Sequence, residues 1–252
     1  ENRYEWAVSY FSVINGTGVG VPLDKYLPEN EIINLIRRSK ASAIFYSLPY
    51  HDIMVRLSGQ ETSIRYFICL DEISAPSGKL SFVTMPALVR KGSELLEKGD
   101  TSFLNSPINR NEMSVLLFTS GTTGTSKGVM LSHSNIAANV TSLTSLVEIY
   151  PNDVYLSLLP LHHTFENTIG LMFMVKKGVT IAYSEGIRHI ARNIREFKVT
   201  LLVAVPAIFE ALYGKVMEEI EKSGKKGLVD AVTKLSDTLM RLGIDVRRKL
   251  FR

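Results

Sequence analysis

At 252 residues, with 45% hydrophobic and 21% charged side chains, the chain is long enough to bury a substantial core and has a globular composition. A net charge of +4, with no basic run interleaved with aromatics, suits an anionic ligand or an acidic membrane surface but falls short of a nucleic-acid-binding protein. The single cysteine, Cys69, excludes a disulfide framework and a cysteine zinc site, and no apolar run reaches the roughly 18 residues that a membrane-spanning helix needs.

Along the chain, Trp6, Tyr10 and Val13 recur at helical spacing over Trp6–Asn15, and Gly16 and Gly18 end that segment. Residues 19–24, VGVPLD, read as a short strand running into a turn at Pro22. Pro28, Glu29 and Asn30 open a helix through Ile32, Ile33, Leu35 and Ile36. Ser42–Ser47 and Ile64–Leu70 read as strands, with Cys69 a small core residue in the second; its presence as a free thiol makes a reducing, cytoplasmic compartment the default. Residues 73–113 hold a turn at Pro76–Gly78, a short polar helix over GSELLEKGD and a loop around Pro107.

Val115–Phe118 reads as a buried strand that breaks into Thr119–Gly128, TSGTTGTSKG: three Gly, six Ser/Thr and one Lys. After it, residues 129–131 form a short strand. Ser132 or Ser134 then caps a helix with Ile136, Val140, Leu143 and Val147 on its apolar face; His133 reads as a loop or cap residue. Val154–Pro160 is a buried strand followed directly by LHHTFENTIG. Leu171–Val175 is helical, Gly178–Ser184 a strand, His189–Lys198 a basic amphipathic helix, Val199–Val205 a strand, and Pro206 opens the next helix. This alternation over residues 115–222 predicts an α/β fold with parallel-rich sheets flanked by helices. Ligands of such sheets sit beyond the carboxyl ends of the strands, which places the loop after Phe118, the LHHTF segment and the Val205–Glu210 junction at one face. Residues 223–252 form a helical segment. Its apolar positions are Leu228, Val232, Leu235, Leu239, Leu242, Val246 and Leu250, and basic residues fill the other side. It packs on its own domain or lies on an anionic membrane.

The loop Thr119–Gly128 cannot fill a core. It offers unshielded backbone N–H groups, hydroxyls and one fixed positive charge, the parts of a polyphosphate cradle. It is not a Walker loop: counting from Gly121, the second Gly of Gly-x-x-x-x-Gly-Lys-Ser/Thr would fall at Ser126 and the hydroxyl at Gly128. Thr-Ser-Gly-Thr-Thr-Gly-x-x-Lys-Gly fits at every fixed position. It resembles the phosphate loop of the acyl-adenylate-forming enzymes, which include acyl-CoA synthetases, luciferases and peptide-synthetase adenylation domains. Those loops usually carry Pro before the Lys. Here Ser126 stands there, which removes one rigid φ angle but no phosphate ligand.

LPLHHTFE, Leu159–Glu166, resembles the Leu-Pro-Leu-x-His-x-Phe/Tyr segment of the same enzymes. The Phe165–Glu166 pair and VPAIFE, Val205–Glu210, resemble the long-chain fatty acid–CoA ligase branch, with Ala207 in place of Arg. No third ligand at a helical offset accompanies His162 and His163, so a metal site there is disfavoured.

The resemblance implies that the chain is part of the large N-terminal domain of an adenylate-forming enzyme. A βαβ unit would precede it, and an adenine-binding segment, a ribose-binding Asp and a mobile lid bearing a Lys would follow. It implies two steps: a fatty acid carboxylate attacks the α-phosphorus of ATP with loss of pyrophosphate, and the thiol of coenzyme A then displaces AMP from the acyl-adenylate. Thr119, Ser120, Gly121, Thr122, Thr123, Gly124, Lys127 and Gly128 would hold the ATP phosphates. Lys127 and Thr119 would act on the leaving pyrophosphate, and Thr119 would help hold Mg2+ with a Glu from outside this chain. His163 and Phe165 would line the acyl-adenylate pocket, with His162 at a variable position. Two other readings are an acyl-AMP ligase that loads a carrier protein and a non-catalytic nucleotide- or acyl-binding module. Because the adenine, ribose and lid groups are absent from residues 211–252, the isolated chain is expected to show no sustained fatty-acid-dependent ATP–pyrophosphate exchange; steady exchange by purified chain would overturn that expectation.

Overall fold

The computed structural model describes residues 1–60, 62–73, 81–119 and 126–241. Clustering of the backbone divides the chain into two compact units, Glu1–Val203 and Ala204–Arg252.

The first unit opens with α1 (Tyr4–Ile14), whose Ala7, Tyr10 and Ile14 are buried as the helical spacing requires. Arg3, just before it, is held by Glu5 at 2.7 Å and Asp71 at 2.8 Å. VGVPLD does not form a strand; only Gly20 bridges, in parallel, to Val115, with Leu116 N–H donating to Gly20 O at 2.9 Å. Pro22 has no N–H to donate and Gly20 no side chain to pack, which limits the ladder there.

α2 (Glu29–Ser39), β1 (Ala43–Tyr46), α3 (His51–Ser58), β2 (Tyr66–Cys69) and β3 (Ser81–Thr84) build the first sheet, which is parallel throughout in the order β1-β2-β3. Ile32 and Ile36 of α2 and Met54 and Leu57 of α3 pack on Phe67 and Cys69. Cys69 is fully buried, the small core residue expected, and burial raises its thiol pKa. α3 and β3 have no counterpart in the sequence reading. α4 (Met85–Glu97) is longer than the short polar helix expected: Thr84 caps it by accepting from Ala87 N–H at 3.3 Å, and Pro86 sits in its first turn.

β4 (Met113–Thr119) and β5 (Lys127–Ser132) form an antiparallel pair, a departure from the parallel alternation expected over 115–222. A connection of seven residues allows an antiparallel return, whereas a parallel crossover needs a dozen or more. Ser132 caps α5 (His133–Leu146) in a reciprocal box with Asn135, so His133 is the first residue of the helix.

β6 (Val154–Ser157), α6 (Met174–Lys177), β7 (Thr180–Tyr183), α7 (Ile190–Glu196) and β8 (Leu201–Leu202) complete the unit, with a parallel sheet in the order β7-β6-β8. Residues Glu166–Phe173, before α6, are a π-helix rather than an α-helix. In the second unit, α8 (Pro206–Lys222) starts at Pro206 as expected, and α9 (Lys226–Arg241) follows. Leu228 and Leu235 of the predicted apolar stripe are 64% and 53% exposed, whereas Val232 and Leu239 are half-buried; residues 242–252, with Leu242, Val246 and Leu250, lie outside the described residues.

Phe67 is fully buried and stacks on Phe82 of the neighbouring strand with ring centroids 4.7 Å apart. Phe67→Ala is expected to destabilise the chain by about 4 kcal/mol, read as the shift in a urea unfolding midpoint at constant slope.

Candidate functional site

The β4–β5 ladder pairs Leu117 with Val129, Phe118 with Gly128 and Thr119 with Lys127. Paired residues project to the same face and successive residues to opposite faces. Thr119 and Lys127 therefore share a face with Leu117, Val115 and Leu131. That face packs on α1 and on Leu161 through a buried cluster that includes Ala7, Tyr10, Ile14 and Leu171. The other face carries Leu116, Phe118 and Gly128. A Cβ at Gly128 would lie 3.2 Å from Leu116 Cδ1 and 3.6 Å from the Phe118 ring, so glycine lets these side chains close over the strand. Thr119 and Lys127 are both exposed. Ser120, Gly121, Thr122, Thr123 and Gly124, the rest of the predicted cradle, lie outside the described residues.

The turn after β6 brings up the second group. Asn2 clasps it from both sides: its Nδ2 donates to Leu159 O at 2.6 Å, and its Oδ1 accepts from Leu161 N–H at 3.1 Å. His162 Nε2 lies 3.8 Å from Asp24 Oδ1, which ties the turn to the PLD loop. Burial lowers the pKa of His162, against the raising effect of Asp24. Phe165 N–H donates to His163 Nδ1 at 3.3 Å, which leaves Nε2 as the other ring nitrogen for a further partner. Among the described residues, no hydrogen bond or ion pair joins Thr119 or Lys127 to His163 or Phe165.

Phe165 lines a cavity of about 470 Å³ together with Thr164, Thr168 and Ile169. The opposite wall is Leu131 of β5 and one face of α5: Asn135, Ile136, Asn139, Ser142, Leu143 and Leu146. The lining is largely apolar, and the depression is open to solvent on one side. His163 is not among the residues that line it.

Directly behind Phe165 lies a carboxylate whose role the sequence reading passed over. Glu166 is fully buried and accepts from Tyr155 OH at 2.8 Å and Ser157 Oγ at 2.7 Å; Asn2 Nδ2 in turn donates to Ser157 Oγ at 3.1 Å. Gly170 makes the room: a Cβ there would collide with the Glu166 carboxylate and come within 2.7 Å of the Tyr155 hydroxyl. The signal in the sequence was the acid itself, set in the otherwise uncharged run FENTIGLMF with a Gly four residues on. The network fixes the start of the π-helix to β6, and with it Phe165 at the cavity wall.

Residues 1–244 match a family model described as AMP-binding enzyme. Long-chain-fatty-acid–CoA ligase 5 of Rattus norvegicus is 30% identical over 267 residues, which cover 100% of this chain and 38% of that protein. The chloroplastic long-chain-fatty-acid–[acyl-carrier-protein] ligase AEE15 of Arabidopsis thaliana is 26% identical over 254 residues, 96% of this chain and 35% of that protein. The chain thus spans little more than a third of the length of these relatives. A solved structure of the long-chain-fatty-acid–CoA ligase FadD1 from Archaeoglobus fulgidus superposes with a TM-score of 0.69 at 21% identity, over 86% of this chain and 41% of that one, which speaks to the fold alone.

Burial raises the pKa of Glu166 to about 7 from an ordinary value of 4.5, against the lowering effect of its two hydroxyl donors. The folded state therefore binds the proton more tightly than the unfolded state. The stabilising contribution of protonated Glu166 is complete below about pH 4.5 and lost as pH rises through about 7, a difference of roughly 3 kcal/mol. Glu166→Gln is expected to flatten that fall relative to the wild-type chain in urea unfolding curves taken between pH 4.5 and 8; parallel curves for the two proteins would contradict it.

Proposed function

The chain belongs to the AMP-binding enzyme family, and from that premise we propose that it activates a fatty acid by ATP-dependent adenylation, as part of the N-terminal domain of a longer ligase. Strand β5 carries this reading. At one end it presents Lys127 beside Thr119, and four residues on it contributes Leu131 to the cavity walled by Phe165. Four strand residues span about 13 Å, so a polar end and an apolar end are held at fixed separation on one rigid element. A fatty acid needs both: an apolar wall for the chain, and cation and hydroxyl donors where its carboxylate meets a polyphosphate.

In the proposed reaction a carboxylate oxygen bonds to the α-phosphorus of ATP and the bond to pyrophosphate breaks. Negative charge grows on the departing pyrophosphate, where the Lys127 ammonium and the Thr119 hydroxyl act. Mg2+ fits this donor set because it is commonly held by few protein oxygens together with substrate phosphates; Thr119 would be the ligand from this chain and charge neutralisation its contribution. Among the described residues no cluster of three or more His, Cys, Asp or Glu offers a complete protein cage. In the second step a thiol displaces AMP. The two relatives named above pass the acyl group to coenzyme A and to acyl-carrier protein, and assay of the complete polypeptide with each acceptor separates those outcomes. The exposed Leu228 and Leu235 of α9, with Lys234 beside them, support peripheral contact with an anionic membrane.

Lys127→Ala is expected to lower adenylation by the complete polypeptide about a hundredfold, or roughly 3 kcal/mol, with circular dichroism and Tm unchanged. A melted variant would mark the hairpin end as structural instead.

A further inference from the structure

Glu31 and Arg38 of α2 both reach the β4–β5 hairpin. Glu31 Oε1 accepts from Ser126 Oγ at 2.9 Å. The Arg38 guanidinium lies over the Phe118 ring, 5.3 Å from its centroid. Glu31 and Arg38 are seven residues apart, two turns along one face of the helix. Phe118 and Gly128 occupy the face of the ladder opposite Thr119 and Lys127, and Ser126, immediately before the paired residues, meets the same helix that covers Phe118. The helix thus braces the hairpin, and among the described residues neither contact involves the side chain of Thr119 or Lys127.

The brace is itself rigid. Ile32, Leu35 and Ile36 of α2 are buried, so the helix is fixed to the first sheet. The carboxylate is fixed as well: Asn34 Nδ2 donates to Glu31 Oε2 at 3.1 Å, which leaves Oε1 for Ser126. At Lys127 the backbone is then held from two directions, by the ladder to Thr119 and by Ser126 immediately before it.

We propose that Glu31 is a positioning residue for Lys127, acting through Ser126 to set where the lysine enters the phosphate site. The proposal rests on the phosphate reading of the hairpin. It gives Glu31 a role beyond the helix-dipole stabilisation that any acid in a first helical turn provides, and it gives Ser126 a role as a tether.

The test uses the complete polypeptide and reads fatty-acid-dependent ATP–pyrophosphate exchange together with Tm. Glu31→Ala and Ser126→Ala should each lower kcat/KM for ATP roughly tenfold, within the range that a misplaced catalytic group costs. The loss should fall on kcat, with KM for the fatty acid unchanged. The double variant should be no worse than the more damaged single, because both remove one interaction. Glu31→Gln, which keeps an acceptor oxygen for Ser126, should recover most of the rate. Ser126→Ala leaves α2 intact, so a loss there cannot be charged to a weakened helix. Additive losses, or full activity in Ser126→Ala, would overturn the proposal. Lys127→Ala run in parallel separates the two levels of failure. A disabling Lys127→Ala beside inert Glu31 and Ser126 variants overturns the tether alone, whereas an inert Lys127→Ala overturns the phosphate reading and the tether with it.

Discussion

The alternation of side chains across the β4–β5 ladder is the constraint on which the rest of the site depends. Register pairs Thr119 with Lys127, so a hydroxyl and a cation share one face whatever the connecting residues do. The same alternation sends Phe118 and Gly128 to the opposite face, where Arg38 of α2 lies over the Phe118 ring, and Glu31 of the same helix holds Ser126 just before the ladder. A slip of β5 by one residue would turn its side chains over, burying the lysine towards α2 and taking Leu131 out of the apolar cluster. That exchange is blocked by the apolar side: Val115 and Leu131 are tied into a cluster with Tyr10 and Leu161 that cannot be vacated without losing several buried side chains. Ordinary core packing thus sets the position of a charged group that is itself exposed.

The pocket side of the site depends on a different interaction. A fully buried carboxyl costs several kcal/mol unless it is paired or neutralised. At Glu166 two hydroxyl donors meet the oxygens, and burial raises the pKa so that the neutral form becomes accessible near neutral pH. Neither hydroxyl is free to move, since both stand on β6 at the centre of the parallel sheet. The result is a polar pin between a strand and a π-helix. It is expensive to form and correspondingly selective about geometry, and it sits one residue from the aromatic at the cavity wall.

Much of this was legible in the residues. The spacing of Trp6, Tyr10 and Val13, the proline starts at Pro28 and Pro206, and the apolar runs Ser42–Ser47 and Val154–Pro160 each matched an observed element, the last two as the shorter strands Ala43–Tyr46 and Val154–Ser157. The composition of Thr119–Gly128 led to the expectation of a phosphate cradle, and its middle residues lie outside what the structure describes. What could not be read was cross-chain. β3 is a four-residue strand with no alternation of its own and exists because β2 offers it a parallel edge. The π-helix depends on the meeting of Glu166, Gly170 and Tyr155, two elements that sequence spacing does not relate. The antiparallel turn at the loop was obscured because short buried strands of either sense carry the same apolar signature.

Serine in place of proline before the lysine changes how the loop end is made rigid. A proline restricts φ in every state of the chain, folded or not. A hydrogen bond from Ser126 to Glu31 acts only when α2 is docked, because Glu31 has a defined position only on a formed and packed helix. Local covalent stiffness is thereby exchanged for stiffness borrowed from the first sheet, through Ile32 and Ile36 against Phe67 and Cys69. The positions of Lys127 and of that distant core then become coupled. A disturbance that loosens α2 reaches the Lys127 end of the hairpin without touching any residue in it.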